Sequence, residues 1–103
     1  MENTNKYALF GKMTAQPGQR EELLSILLQA AQTVSTAKGC HQYLVYKDTQ
    51  NADWIWMSEI WDSEEDHDNS LHIAGCRELI MQAMPLLAGK PEKIELALVG
   101  GKQ

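Results

Sequence analysis

Three consecutive stretches decide how this chain folds: His41-Gln-Tyr-Leu-Val-Tyr-Lys47, Asp48-Thr-Gln-Asn-Ala-Asp53 and Trp54-Ile-Trp-Met-Ser-Glu-Ile-Trp61. The outer two are rich in aromatic and β-branched residues, and the polar link between them is short, so together they read as a β-hairpin. Side chains alternate across a strand. In the second arm Trp54, Trp56 and Ile60 oppose Ile55, Met57 and Trp61; in the first, Tyr43 and Val45 oppose Leu44 and Tyr46. Both faces of the hairpin are therefore apolar.

Working outward, Tyr7 to Ala15 reads as a strand ahead of the breaker Gln16-Pro17-Gly18, with Tyr7, Leu9 and Met13 opposing Ala8 and Phe10. From Gln19 to Lys38, Leu23, Ile26, Leu27, Ala30 and Val34 recur at helical spacing, and Gly39 suits the position after a helix end. After the hairpin, Ser63 with Asp66 three residues on is a capping signal. It predicts one helix, or a short helix followed by a longer one, reaching about Met84 before Pro85. Lys93 to Val99 is a last strand. The order is β-α-β-β-α-β, which makes the chain an α+β, ferredoxin-like unit with an antiparallel four-stranded sheet.

Two helical segments cover only one face of such a sheet. The second apolar face is then an association site, and a homodimer with sheets face to face is expected.

The 103 residues provide for a single domain, 1–103, with tails expected at 1–6 and 100–103. Nine basic against fourteen acidic residues give a net charge of −5, which disfavours a nucleic-acid partner. Eight of the acids lie between Asp48 and Cys76, a segment without Lys or Arg. That segment carries Trp54, Glu59, Trp61 and His67, so a neutral aromatic ligand suits it better than an anionic one. No apolar run is long enough to span a bilayer and no export signal is evident, so a cytoplasmic protein with reduced Cys40 and Cys76 is expected.

Few residues are suited to chemistry. His67 and His72 are five apart, off the spacing that aligns two ligands on a helix, and no trustworthy metal set is present. His67 reads either as a polar residue in the first turn of an acidic helix or as a general base at a pocket mouth, work that suits imidazole. Glu59 interrupts an apolar strand and is either a rim or interface residue or a pocket acid or base. Trp54, Trp56 and Trp61 with Tyr43 and Tyr46 form an aromatic patch, of use as core, dimer interface or stacking wall. Phosphate loops, dinucleotide fingerprints and nucleophile elbows are absent from the sequence.

From about Tyr7 to Val99 the chain resembles the antibiotic biosynthesis monooxygenase family, small dimeric α+β-barrel proteins. The resemblance rests on Pro17-Gly18, on Gly39 with Tyr43, on Glu59-Ile-Trp-Asp-Ser-Glu-Glu-Asp-His67-Asp-Asn-Ser-Leu71, and on Arg77-Glu-Leu-Ile80 and Pro85-Leu-Leu-Ala88. It implies a pocket between sheet and helices in each subunit. In some members that pocket oxidises phenols, anthrones or quinols with O2 and without metal or flavin. Glu59 and His67 match the family pattern and are the expected catalytic residues; Tyr43, Trp56 and Ser70 are expected substrate contacts by proximity and parity. Haem-degrading relatives use an Asn, a Trp and a His, but Ser70 and Ile80 stand at the matching positions here. Relatives that isomerise a phosphorylated sugar need cations that the pocket segment lacks. The expectation is a cofactor-free monooxygenase acting on a small aromatic substrate; the alternative is a non-catalytic dimeric barrel that binds a ligand or serves in stress response.

Overall fold

A computed structural model describes residues 6–102. The elements are β1 (Lys6–Thr14), α1 (Arg20–Val34), β2 (Cys40–Lys47), β3 (Trp54–Trp61), α2 (Glu64–Ser70), α3 (Cys76–Ala83), a 3-10 turn at Met84–Leu86, and β4 (Glu92–Leu98). All strand pairs are antiparallel and the sheet order is β2-β3-β1-β4. This is the ferredoxin-like arrangement expected. Residues 1–5 and 103 of the expected tails lie outside the described residues. Lys6 does not belong to a tail, because it pairs with Leu98 in β1.

The two-residue period of β3 organises the molecule. Ile55, Met57, Glu59 and Trp61 are all buried, whereas the alternate Trp54, Trp56, Ser58 and Ile60 are only half-buried. The strand register carries this division sideways: Met13 faces Ile55, Tyr7 faces Trp61, Tyr43 faces Glu59 and Val45 faces Met57. The helices cover that face. From α1, Leu23, Leu24, Ile26 and Leu27 join Ile55, Met57 and Leu79 in the main core. A second cluster of Val34, Trp61 and Cys76 closes the other end.

On the uncovered face, Phe10, Leu44, Tyr46, Ile94 and Leu96 remain exposed, and Phe10 stacks on Trp56 with ring centroids 5.5 Å apart.

The connections follow from local chemistry. Arg20, at the start of α1, donates from Nη1 to the carbonyls of Asp48 and Asn51, which ties the β2–β3 loop to the helix. Helix α1 stops at Val34 rather than at the expected Lys38. Ser35 there turns its hydroxyl back to the Gln32 carbonyl, and a short turn follows in which Ala37 N–H donates to the Val34 carbonyl. β2 holds an irregularity that its alternation does not announce: Cys40 pairs with Trp61 but Gln42 with Ile60, so His41 is an extra residue. The bulge turns both Cys40 and Tyr43 to the helix side, where Cys40 is partly buried. Ser63 accepts from the Asp66 amide and starts α2 as expected. The short-then-long helix alternative is the one realised, since Gly75 at φ 92° breaks the chain between α2 and α3.

Gly39 has φ 81°, and a Cβ there would overlap the Asp66 side chain of α2. Gly18 has a similar φ of 78° but open space around it. Gly39→Ala is expected to cost about 2 kcal/mol, or roughly 8–16 °C in Tm, and Gly18→Ala clearly less. Equal losses at the two positions in thermal unfolding would show that Asp66 simply gives way.

Candidate active site

A cavity of about 360 Å³ lies between the covered sheet face and the helices, within the usual range for small-molecule sites. Ile26 and Leu27 of α1, Met57 of β3 and Leu79 of α3 make its apolar wall. Half-exposed Leu71, Ile80 and Met84 stand at its mouth. A larger open groove of about 620 Å³ between α1 and β2 holds a Glu21–Lys47 ion pair but no group placed for proton transfer.

The polar side chains of the cavity gather on one side. Glu59 reaches it because its parity in β3 matches that of Ile55, Met57 and Trp61. Its Oε1 accepts the Trp61 indole N–H at 2.9 Å. His67 comes in from α2, and its Nε2 stands 3.8 Å from the same Oε1. That separation is too long for a direct hydrogen bond but close enough for strong electrostatic coupling. Burial pushes the Glu59 carboxyl above the usual carboxylate range, while the Trp61 hydrogen bond, His67 and Lys93 pull the other way. The acidic segment is base-free in sequence only, since β4 brings Lys93 near Glu59.

Tyr43 lines the cavity from β2, and burial with the Glu59 charge nearby raises its phenol above the ordinary value. It is thus a neutral donor. Ser70, 4% exposed, donates its hydroxyl proton to the His67 carbonyl at 2.6 Å and presents oxygen lone pairs toward the cavity it lines.

The structure brings together Glu59, His67, Tyr43 and Ser70, and it does not bring Trp56 to them. Trp56 belongs to the opposite parity of β3, so it lies on the uncovered face between Phe10 and Tyr46, with its indole N–H given to Asp48 Oδ2 at 2.7 Å. The expected substrate contact at Trp56 is therefore corrected: a strand residue cannot share the face of one three positions away. Alternation alone separates Trp56 from Glu59.

Other members of the site came with the fold. Tyr7 packs on the His67 ring with centroids 5.6 Å apart and donates its hydroxyl to Glu95 at 2.8 Å. Trp61 meets the same ring edge-on at 5.8 Å. The shared parity of Tyr7, Glu59 and Trp61 is the signal that could have linked them. Among the described residues no group of three or more His, Cys, Asp or Glu is placed to hold a metal ion. No helix among them is long and apolar enough to cross a membrane. Chemically, the arrangement can enclose an apolar molecule, meet one polar substituent with Tyr43 and Ser70, and exchange a proton with the Glu59–His67 pair.

Residues 7–80 match the family model for antibiotic biosynthesis monooxygenase. A candidate antibiotic biosynthesis monooxygenase from Chloroflexus aurantiacus is 41% identical and superposes with a TM-score of 0.86, covering 95% of this chain and 97% of that one. A second candidate from Caulobacter crescentus, at 17% identity, shares the fold with a TM-score of 0.85 over 95% of this chain and 93% of its own. A Mycobacterium tuberculosis protein, also 17% identical, has a TM-score of 0.83 over 95% and 99%. No curated protein matches the chain. With the match spanning well over half its length, the chain belongs to the antibiotic biosynthesis monooxygenase family.

Proposed function

We propose that the cavity is the active site of a cofactor-independent monooxygenase that oxidises a small phenolic, anthrone-like or quinol-like aromatic with O2. The observation that carries this reading is the buried Glu59–His67 pair set into an otherwise largely apolar cavity. The substrate gives a proton to the pair, and the resulting electron-rich anion passes one electron to O2. Recombination of the two radicals forms a C–O bond, the resulting peroxide anion takes back the proton held by the pair, and the hydroperoxide so formed loses water to leave a carbonyl. One oxygen atom is thus retained in the quinone and the other leaves as water. The protein contributes a base, a neutral donor for the anion in Tyr43 and a wall that excludes water.

The uncovered sheet face supports a homodimer as the working unit. Ile94 is 58% exposed and Leu96 52%, beside Phe10, Tyr46 and Trp56. A contiguous apolar surface of this kind favours burial against a second copy. Light scattering at micromolar concentration is expected to report a dimer, and Phe10→Asp a monomer. A monomeric wild-type chain would contradict this assembly.

Purified protein incubated with a panel of anthrones and hydroquinones should form quinone faster than the protein-free blank, and only when O2 is present. His67→Ala should slow this by about 10²–10⁴-fold, the usual worth of a general base. If no compound turns over but an aromatic still raises Tm, the cavity serves ligand binding without catalysis.

The Glu59 carboxyl also predicts a pH dependence of stability. Because its folded value lies above the ordinary 4.5, the folded chain holds more protons than the unfolded chain as pH rises past 4.5. This group therefore lowers stability as pH rises through that window, and the effect is absent below it. Glu59→Gln removes the titration and keeps an acceptor for Trp61. Compared with wild type, it should gain stability as pH rises from 4 to 8 in denaturant unfolding. A difference that does not change with pH would show that Glu59 is not strained by burial.

A further inference from the structure

The hydrogen bond on the solvent side of His67 has no part in the cavity itself. His67 Nδ1 lies 3.0 Å from Asp68 Oδ1. We propose that Asp68 is a positioning residue, which holds the proton of the neutral His67 ring on Nδ1 and so keeps the Nε2 lone pair turned toward Glu59 and the cavity. The inference deepens the assignment of the cavity as an active site and rests on it only for the catalytic consequence.

Two contacts fix the plane of the ring and leave one choice open. Tyr7 packs at an interplanar angle of 51° and Trp61 meets it at 82°. A half-turn of the ring about its bond to Cβ preserves that plane while exchanging Nδ1 with Cδ2 and Nε2 with Cε1. Aromatic packing therefore cannot choose between the two settings. Glu59, at 3.8 Å, is too distant to choose by hydrogen bonding. Asp68 can, because an ionised carboxylate accepts hydrogen bonds and has none to give. The bond needs a proton on Nδ1, which in neutral imidazole leaves Nε2 as the acceptor.

The placement is selective. The His67 side chain is 12% exposed while that of Asp68 is 62% exposed. An ion or hydrogen-bonded pair so open to water adds little to folding. Removing the Asp68 carboxylate thus changes the proton position while sparing the core. The other charged or titratable groups around the ring are Glu59 from β3, Tyr7 from β1 with Glu95 of β4 behind it, and Glu64 in the first turn of α2. None of them is within hydrogen-bond reach of Nδ1 among the described contacts.

The test is a long-range proton–nitrogen NMR correlation on the full chain, with 15N-labelled histidine and at a pH where His67 is neutral. His41 and His72 act as internal references. Wild type and Asp68→Glu should carry the His67 proton on Nδ1, and Asp68→Ala should move most of it to Nε2. A wild-type ring protonated on Nε2, or an Asp68→Ala ring that stays protonated on Nδ1, would overturn the proposal. In anthrone oxidation, Asp68→Ala should lose about tenfold in kcat with KM held, a fraction of what losing the base itself costs. An unchanged kcat would also contradict the positioning role. Wild-type protein that turns over nothing would instead count against the monooxygenase reading, and the NMR result would still decide the place of the proton.

Discussion

Trp61 is fully buried and has one indole N–H to satisfy, and the acceptor is the carboxylate two residues earlier on its own strand. An extended chain places residues i and i+2 on the same face, so the bond comes at almost no cost in folding entropy. A buried indole N–H without an acceptor is expensive, on the order of 1–3 kcal/mol. The largest side chain of the core thus holds Glu59 under the helices, in a place where a carboxylate would otherwise be excluded. The same oxygen that satisfies Trp61 stands next to His67. One carboxylate oxygen thus serves the core indole and faces the imidazole.

The rest of the site is arranged around that bond. Tyr7 is paired with Trp61 across β1 and β3, and the two rings hold His67 between them. Tyr43 is paired with Glu59 across β2 and β3, which brings a neutral phenol to the same side of the cavity. Ser70 and His67 come from one short helix, started by the Ser63 cap. The opposite sheet face holds a different set of aromatics, Phe10, Tyr46 and Trp56. One strand thus divides its residues between a covered cavity and an uncovered apolar surface, and period two performs the division.

Much of this could be read from residues. The limits of β3 at Trp54–Trp61 match the stretch rich in aromatics, and the hairpin with β2 follows from the short polar link. Glu59 and His67 were legible as unusual polar residues, and their proximity needed the orientation of α2 over the sheet. Trp56 lies on the uncovered face, because alternation along β3 sets it opposite Met57 and Glu59. The extra residue at His41 leaves no trace in hydrophobic alternation, since polar and apolar residues continue on both sides of it. The early end of α1 depends on Ser35 turning to the backbone, a contest between side-chain and helical hydrogen bonds that composition does not decide. The contact of Tyr7 with His67 joins elements far apart in the chain and that of Asp68 depends on the setting of one ring, and neither has a sequence signature.

Function depends on which sheet face receives the ligand. A crystal structure of the protein soaked with an anthrone would show this directly. The ring system is expected between the sheet and the helices, with its oxygen within hydrogen-bond distance of the Glu59, His67, Tyr43 and Ser70 group. An anthrone seated on the Phe10, Tyr46 and Trp56 face, with the inner cavity empty, would contradict this placement.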